Sequence, residues 1–454
     1  MKNLFVLLSL LNTMLLLPQN NANKFESINK IDELITSQYK SNEPGCVVLV
    51  SQKGRVIYKK AFGLANLEHH VKMDTNMVFG IGSITKQFTA VAILQLMEKG
   101  KLTLEDDITK YVEGYPTHGY KITIANLLTH TSGIKNFGDI DGWDENKYRK
   151  DFTVNELIDE FKFQHMDFSP GTKWSYCNSG YTLAGYIIEK ISGMTYSEYI
   201  HKNIFLPACM VNTYYGNNSK IIINRAYPYQ KQQNETINAA YNSISQRYSS
   251  GSIISTVTDL NNWNEALKHN TLINSKSLQL ARTEFRLLDG TGTGYGLGIN
   301  ISDINGSIAY EHAGSIDGYR SNSIYLPSED VFVIILTNRD YDSPSDLSVR
   351  IASLVINKQY TWKESQEKLA NPNEYVGKYI NSRNEERLII IEKDKLFYKK
   401  KNGEMIKLIQ IYKDKFIFDQ LFAIIEFCRD VDGKVIKALV KNRIPPIESW
   451  LKVN

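Results

Sequence analysis

Ser83 and Lys86 are the two residues whose types and spacing most directly suggest chemistry. They are three positions apart, where a glycine-flanked extended segment gives way to a helical pattern. On a helix that spacing brings both side chains onto one face, so the lysine amine can reach the serine hydroxyl. A hydroxyl beside a base is how serine nucleophiles are activated. The helix N-terminus also gives the backbone N–H of Ser83 a partial positive charge that favours an oxyanion.

The Ser-x-x-Lys spacing is a weak signal by itself. It occurs six times in this chain, beginning at Ser27, Ser37, Ser83, Ser132, Ser365 and Ser449. The ordinary alternative at Ser83 is a serine that caps a helix, followed by a solvated lysine. A catalytic interpretation therefore needs further residues with suitable chemistry.

Tyr176 and Asn178 supply a second element. They stand where an extended segment meets a helical pattern, so their side chains can point the same way. A tyrosine can carry a proton if neighbouring cations lower its pKa. Asn178 can donate and accept hydrogen bonds to a substrate amide or ester, and Cys177 between them is expected to face the core. The alternative is a plain strand-to-helix turn.

A third element is His312, followed by Gly314 and Ser315 at the approach to a strand. A glycine there lets a ligand come close to the backbone. The N–H of Ser315 is expected to be a second oxyanion donor beside that of Ser83. The alternative is a histidine whose hydrogen bonds are satisfied at a strand end.

The elements that must position these residues predict an α+β fold class. Strand patterns lie at both ends of the first 360 residues and helical patterns lie between them, which indicates one antiparallel sheet built from both chain ends, flanking helices and an inserted helical lobe. A β-hairpin is expected near the start, with one strand over 45–51 and a second that begins at 56. A glycine-punctuated strand region is expected to start at 294–299, and three more strands are expected over 308–312, 320–326 and 331–337. The expected helices run from Gly82 to Gly100, around 122–130, and over 153–162, 180–191 with Ser179 as cap, 258–268 and 346–357.

Three segments are expected along the chain. Residues 1–22 resemble an export signal, because Lys2 precedes an apolar run that ends before Pro18. The protein is therefore expected outside the cytoplasm, periplasmic or secreted, and no later segment is long enough to span a bilayer. Residues 23–362 form the main domain, and the short alternating runs over 373–454 predict a small all-β domain.

Composition excludes some partners. The formal net charge of +4 over 454 residues argues against a nucleic-acid partner, which would require a concentrated basic surface. The four cysteines are scattered and match no metal framework, so neither a metal nor a cofactor is expected. The sequence does not specify the oligomeric state.

Five short motifs, taken in order, resemble those of the serine β-lactamase-like hydrolases, in particular the group of class C β-lactamases, penicillin-binding DD-peptidases and esterases. They are Gly82-Ser-Ile-Thr-Lys-Gln-Phe-Thr89, Leu127-Leu-Thr-His-Thr-Ser-Gly133, Pro170-Gly171 before Tyr176-Cys-Asn178, Gly294-Tyr-Gly-Leu-Gly298 and His312-Ala-Gly314. The resemblance implies that Ser83 is the acylated nucleophile and Lys86 its proton partner. It implies that Tyr176 is the general base, that Asn178 binds substrate, and that the C-terminal domain is a lipocalin-like barrel.

His312 departs from the pattern of this group, because the β-lactamases usually have lysine there. A lysine would suit the carboxylate of a β-lactam, whereas histidine is mostly neutral near pH 7. The sequence therefore favours an esterase or D-amino-acid peptidase acting on a small molecule or peptide with an ester or amide bond. The alternatives are a β-lactamase or DD-carboxypeptidase, and a non-catalytic penicillin-binding sensor or scaffold.

Overall fold

The computed structural model describes residues 28–217, 219–360, 365, 369, 371–381, 385–400, 405–419, 422–444 and 448–453. The predicted export signal over 1–22 lies outside these residues. Within them, no helix combines the length and the apolar character that crossing a bilayer demands.

A six-stranded antiparallel sheet forms the centre of the main part of the chain. Its strands lie in the order Asn300–Ile304, Ser307–Ile316, Tyr319–Leu326, Val331–Thr337, Cys46–Gln52 and Arg55–Phe62. The sheet joins both ends of this part of the chain, since Cys46 pairs with Thr337. The predicted architecture and fold class are confirmed.

Strand Cys46–Gln52 is buried on both faces, which explains its continuous apolar sequence. Because side chains alternate along a strand, Cys46, Val48 and Val50 face one layer of the core. The helical residues 28–38 and helix Ser345–Val355 pack in that layer. Val47 and Leu49 face the helical lobe on the other side of the sheet.

The lobe lies between the two groups of strands. Its helices are Thr85–Glu98, Ile124–Leu128, Glu145–Arg149, Val154–Phe161, Asn178–Ser192, Tyr196–Ile200 with the π-helical His201–Phe205, Tyr248–Gly251, Val257–Lys268 and Ser275–Ala281. Its single 3₁₀ turns are Gly82–Ile84, Ile108–Lys110, Phe137–Asp139 and Ile244–Gln246. Short strands complete it: Leu64–Asn66, Val71–Lys72, Phe79–Gly80, Tyr214–Tyr215, Tyr229–Gln232, Glu235–Asn238 and Ile253–Ser255.

Helix Thr85–Glu98 runs through the core. Every residue from Thr85 to Leu96 is buried, because apolar and small polar side chains occupy all of its faces. The helix ends before Gly100, whose φ of +65° favours glycine. The catalytic candidate at its start is therefore held by a rigid, central element.

The C-terminal part is a closed antiparallel barrel that follows the 3₁₀ turn Pro372–Glu374. Its strands are Gly377–Asn381, Glu386–Glu392, Lys395–Lys400, Met405–Tyr412, Lys415–Phe418, Ile424–Arg429, Val435–Lys441 and Glu448–Val453. Its own core contains Tyr379, Phe416, Phe427 and Trp450. The predicted all-β character is confirmed, while the predicted boundaries 23–362 and 373–454 stay predictions.

Two local predictions are wrong. Residues 294–299 form a loop with an isolated bridge at Tyr295, and the regular strand begins only at Asn300. Ser179 does not cap a helix, because the helix already begins at Asn178. The Ser179 hydroxyl instead donates to the carbonyl of Lys135 at 2.8 Å and accepts the N–H of Phe137 at 2.9 Å.

Candidate active site

Ser83 lies in the 3₁₀ turn Gly82–Ile84, which leads directly into helix Thr85–Glu98. It is half-buried, whereas Lys86 is completely buried one turn further along. The Lys86 ammonium nitrogen lies 3.2 Å from Ser83 Oγ. The predicted contact between amine and hydroxyl is therefore present in the structure.

Three acceptors surround Lys86 Nζ. They are Ser83 Oγ at 3.2 Å, Asn178 Oδ1 at 2.8 Å and the carbonyl oxygen of Ser250 at 2.9 Å. A protonated amine would donate to all three. A neutral amine would keep two donors and could use its lone pair to accept the Ser83 hydroxyl proton. In the contact with Ser83, which is the longest of the three, donor and acceptor can therefore exchange roles.

The pKa of Lys86 lies well below the ordinary value of 10.5. Burial is the main cause, because the charged form loses its hydration, and the nearby charge of Arg247 lowers it further. Both effects favour a neutral amine, which is the form that can act as a base.

Tyr176 stands on the other side of Ser83. Lys86 Nζ lies 4.7 Å from the centre of the Tyr176 ring, and the Ser83 side chain is close enough to Tyr176 to lower the pKa of its phenol. Burial raises the pKa of Tyr176, and the nearby Ser83 side chain offsets this only in part. The condition for Tyr176 to act as a base, a pKa lowered by neighbouring cations, is therefore not met in this structure. Tyr176 is a neutral phenol that can give a proton away.

Asn178 is the first residue of helix Asn178–Ser192. Its backbone N–H donates to the side-chain oxygen of Asn136 at 3.0 Å, which satisfies one of the open donors of the helix start. Its own side-chain oxygen accepts from Lys86 at 2.8 Å. The Cys177 side chain faces the core, as expected, and donates to the carbonyl of Ile134 at 3.3 Å.

His312 lies in strand Ser307–Ile316 and is only 3% exposed. Nδ1 lies 2.6 Å from the carbonyl oxygen of Ala313, and Nε2 lies 2.9 Å from the hydroxyl of Tyr295. These partners fit a neutral ring with its proton on Nδ1. Burial, with the nearby charge of Lys86, lowers the pKa of His312 to about 3. Both ring nitrogens are occupied within the protein, so the role of His312 in substrate binding stays a prediction.

Gly82 and Gly314 allow two backbone segments to touch. Gly82 has a φ of +51°, and a side chain there would come within 2.6 Å of the Ser315 nitrogen. A side chain at Gly314 would overlap the carbonyl oxygen of Ile81. The strand carrying Ser315 therefore lies directly against the turn carrying Ser83. Strand Asn300–Ile304 pairs with strand Ser307–Ile316 only up to Glu311, so among the described residues no strand pairs with that edge beyond Glu311.

His130 is a residue whose position sequence reasoning missed. It is 1% exposed, its Nδ1 accepts the backbone N–H of Cys177 at 3.0 Å, and its ring lies 4.3 Å from that of Tyr176. Its Nε2 is buried and has no hydrogen-bond partner among the described residues. Burial holds the pKa of His130 well below its usual value. The motif Leu127–Gly133 was the available signal, but it did not indicate contact with Tyr176.

Two arginines were also missed. Arg247 forms an ion pair with Asp317 at 3.3 Å, and its charge acts on Lys86. A guanidinium N–H of Arg320 donates to the Ser315 hydroxyl. No carboxylate lies within ion-pairing distance of Arg320 in the part of the chain that is described. Arg320 therefore places a positive charge beside Ser315, where Asp340 and Asp317 also act on it electrostatically.

The structure thus brings Ser83, Lys86, Tyr176 and Asn178 into contact, and places His312, Gly314 and Ser315 beside them. Among the described residues, no group of three or more His, Cys, Asp or Glu side chains is arranged to hold a metal ion. The arrangement offers a hydroxyl, a base of lowered pKa, a phenolic acid and backbone N–H groups at one point. These are the groups that acyl transfer needs.

Replacing His312 should make the fold less sensitive to acid. The folded chain keeps His312 neutral down to about pH 3, whereas the unfolded chain takes up a proton below about pH 6.5. Unfolding therefore becomes easier as pH falls between these values, by up to about 1.4 kcal/mol per pH unit. We expect the difference in the free energy of unfolding between pH 7 and pH 5, measured with urea, to be smaller in His312→Asn. The exposed His165 is the control, and an unchanged pH dependence in His312→Asn would contradict the argument.

Comparison with known proteins adds independent information. The Beta-lactamase family model matches residues 30–357. A penicillin-binding protein of Bacillus subtilis (strain 168) is 26% identical over 446 residues, which cover 90% of this chain and 95% of the relative. The octameric penicillin-binding protein homologue from Pyrococcus abyssi has a similar structure, with a TM-score of 0.66, 23% identity, and coverage of 94% of this chain and 99% of that chain. The D-amino acid amidase from Ochrobactrum anthropi SV3 complexed with L-phenylalanine amide gives a TM-score of 0.62 and 23% identity, and covers 74% of this chain and 99% of that chain.

Proposed function

This chain belongs to the beta-lactamase family, as its motifs predicted, and from that premise we propose that it is a serine hydrolase that cleaves an ester or amide bond through an acyl-enzyme. The observation that carries the proposal is the contact between Ser83 Oγ and the buried Lys86 amine, which also lies 4.7 Å from the centre of the Tyr176 ring. The substrate class we favour is a D-amino-acid amide, ester or short peptide. The solved D-amino acid amidase has the same fold, and the neutral His312 suits a substrate that places no carboxylate beside it.

The proposed acylation moves one proton from Ser83 to the neutral Lys86 amine while Ser83 Oγ bonds to the substrate carbonyl carbon. The carbonyl oxygen becomes negative, and the N–H groups of Ser83 and Ser315 hold it. Each such donor contributes about two to three powers of ten in rate. The bond to the leaving group then breaks as Tyr176 gives its proton to that group and regains one from Lys86.

Deacylation reverses these roles. Water loses a proton to the Lys86–Tyr176 pair as its oxygen bonds to the acyl carbon, and the Ser83 oxygen leaves with a proton. Asn178 orients both Lys86 and the substrate, because its side-chain amide also has N–H donors that Lys86 does not use. The product is a free acid, and the enzyme returns to its starting state.

The proposal is tested by offering four substrates to one purified preparation: a D-amino acid amide, a p-nitrophenyl ester, a D-Ala-D-Ala peptide and nitrocefin. A labelled fluorophosphonate is added in parallel, and the modified residue is identified by mass spectrometry. We expect labelling at Ser83 and turnover of the amide or the ester. Labelling elsewhere, or no labelling and no turnover of any substrate, would favour a non-catalytic scaffold.

A second candidate function has an observation in its favour, which is the position of Arg320. Its guanidinium contacts Ser315, beside the proposed oxyanion site, and has no carboxylate partner among the described residues. A substrate with a free carboxylate near the scissile bond could pair with it. Arg320 would then supply the positive charge that His312 lacks. This favours a DD-carboxypeptidase or β-lactamase activity as the alternative.

Arg320→Gln separates the two candidates. If a substrate carboxylate pairs with Arg320, we expect kcat/KM for the D-Ala-D-Ala peptide to fall about 10- to 100-fold, mainly through KM. The loss with the neutral ester should be much smaller. Arg286, whose side chain is 67% exposed, is the matched control for an arginine change. Equal losses with both substrates would show that Arg320 does not recognise a carboxylate.

A further inference from the structure

Arg443 connects the C-terminal barrel to the strand that carries His312. It follows the barrel strand Val435–Lys441 and reaches the central sheet. Its Nη2 donates to Glu311 Oε2 at 3.0 Å, and its Nη1 lies 2.8 Å from Glu311 Oε1. Nη1 also donates to Ser302 Oγ at 3.0 Å. One barrel side chain therefore bridges two neighbouring strands of the main sheet.

This ion pair is buried. The Glu311 side chain is 3% exposed and that of Arg443 is 13% exposed. A buried carboxylate is unfavourable unless a cation or hydrogen-bond donors compensate it. Arg443 is the basic residue paired with Glu311 in the described part of the chain. The barrel therefore supplies the cation that pairs with the buried Glu311 carboxylate of the main sheet.

Glu311 occupies a critical point of the sheet. It pairs with Asn300 on one side and with Ile324 on the other, and it is the last residue of its strand held on both sides. Among the strands that the structure describes, the next residues, His312 to Ile316, pair with Tyr319–Leu326 alone. Glu311 and His312 face opposite sides of the sheet because side chains alternate along a strand. The ion pair with Arg443 therefore fixes the backbone at Glu311, immediately before the segment that contains His312 and Ser315.

We propose that Arg443 is a positioning residue for the hydrolase site and that the barrel acts on this site through the Arg443–Glu311 ion pair. The inference rests on the proposed function, because the segment it positions is the one that supplies the Ser315 N–H to the oxyanion. Acyl transfer is sensitive to small displacements, and a shift of about 1 Å can cost 100-fold in rate. The barrel thereby contributes to catalysis without contacting the substrate.

The test uses the full chain with Arg443→Met, Glu311→Gln, Arg443→Lys and the double variant Arg443→Met with Glu311→Gln. Two quantities are measured: the rate at which a fluorophosphonate labels Ser83, and hydrogen exchange of the peptides covering 307–316 by mass spectrometry. For Arg443→Met we expect labelling about 10- to 100-fold slower and faster exchange at residues 312–316. The double variant should be no worse than the single ones, because both groups act in one interaction. Arg443→Lys should recover part of the loss.

Arg429→Met is the matched control. It removes ion pairs with Asp414 and Glu374 inside the barrel and its first turn, without contact to the main sheet. We expect the labelling rate and the hydrogen exchange of Arg429→Met to stay within about twofold of the wild-type values, because a local change in the barrel does not alter the contacts of Glu311.

Two results would overturn the inference. One is wild-type labelling and exchange in Arg443→Met, and the other is an equal loss in Arg429→Met, which would indicate general barrel destabilisation. If the wild-type chain is not labelled and hydrolyses nothing, the proposed function fails, but the exchange measurement still decides whether Arg443 positions the strand. If Arg443→Met does not fold, Glu311→Gln and Arg443→Lys are subjected to the same two measurements.

Discussion

Ser83→Ala is expected to abolish turnover of every substrate while leaving the fold intact. The proposed mechanism forms the acyl bond on this hydroxyl, so we expect kcat to fall at least about 10⁴-fold. Removing it also leaves the Lys86 amine with two of its three acceptors. The free energy of unfolding should therefore change by only about 1 kcal/mol. Turnover and fluorophosphonate labelling of the purified variant check the first expectation, and thermal unfolding checks the second.

The chain contains a matched control for this change. Ser37 has a lysine three residues later, Lys40, but it lies exposed on the first helix, and Lys40 Nζ contacts its backbone carbonyl rather than its hydroxyl. Ser37→Ala should keep full turnover and labelling. Hydrolysis retained in Ser83→Ala, after the variant is shown free of wild-type protein, would end the nucleophile assignment.

Lys86→Met is expected to have the second largest effect. It removes the base while keeping an unbranched side chain in the same buried space, and we expect kcat to fall about 10²- to 10⁴-fold. Lys86→Arg should be comparably impaired, because a guanidinium keeps its proton at all accessible pH values. The change leaves Asn178 Oδ1 and the Ser250 carbonyl without this donor, at a cost of about 1–3 kcal/mol each, and the removed burial penalty of the charged amine offsets part of that cost.

The pH profile distinguishes a base from a structural lysine. In the wild-type chain the neutral amine is the active form, so kcat/KM should rise with pH through the lowered pKa of Lys86, well below 10.5. In Lys86→Met the residual activity should lack this acid limb. An acid limb that persists unchanged in Lys86→Met would assign it to another group. Lys60→Met, which breaks an exposed ion pair with Asp32, should behave as wild type.

The sequence predicted those parts of the fold that depend on local pattern. The strands predicted over 320–326 and 331–337 are observed as Tyr319–Leu326 and Val331–Thr337. Continuous apolar runs and glycine turns mark such strands even without tertiary information. The prediction at 294–299 is wrong because apolar residues between glycines can also line a loop that packs on the core.

Sequence reasoning predicted the residues of the candidate site that lie together in one motif. It missed the contacts between segments that are distant in the sequence. Ser83 and Lys86 could be paired from helical spacing alone. By contrast, the contacts of His130 with Cys177, Arg320 with Ser315 and Ser250 with Lys86 join different loops and strands. Ser179 is another example, because its hydroxyl forms hydrogen bonds with the backbone of Lys135 and Phe137 rather than with its own helix. No local rule encodes these choices, which depend on how the lobe packs.

The pairing of the first and last strands of the main sheet has a consequence for how this chain acquires its shape. The Gly45 backbone N–H donates to Asn338 across a separation of 293 residues, and Cys46–Gln52 has both its neighbours only once Val331–Thr337 exists. During synthesis, strand Cys46–Gln52 can complete its pairing only after nearly all of the main part has emerged. Loop closure on this scale slows folding and prolongs the exposure of apolar segments. A chain truncated shortly before Val331 is therefore expected to aggregate rather than to fold into a smaller stable unit.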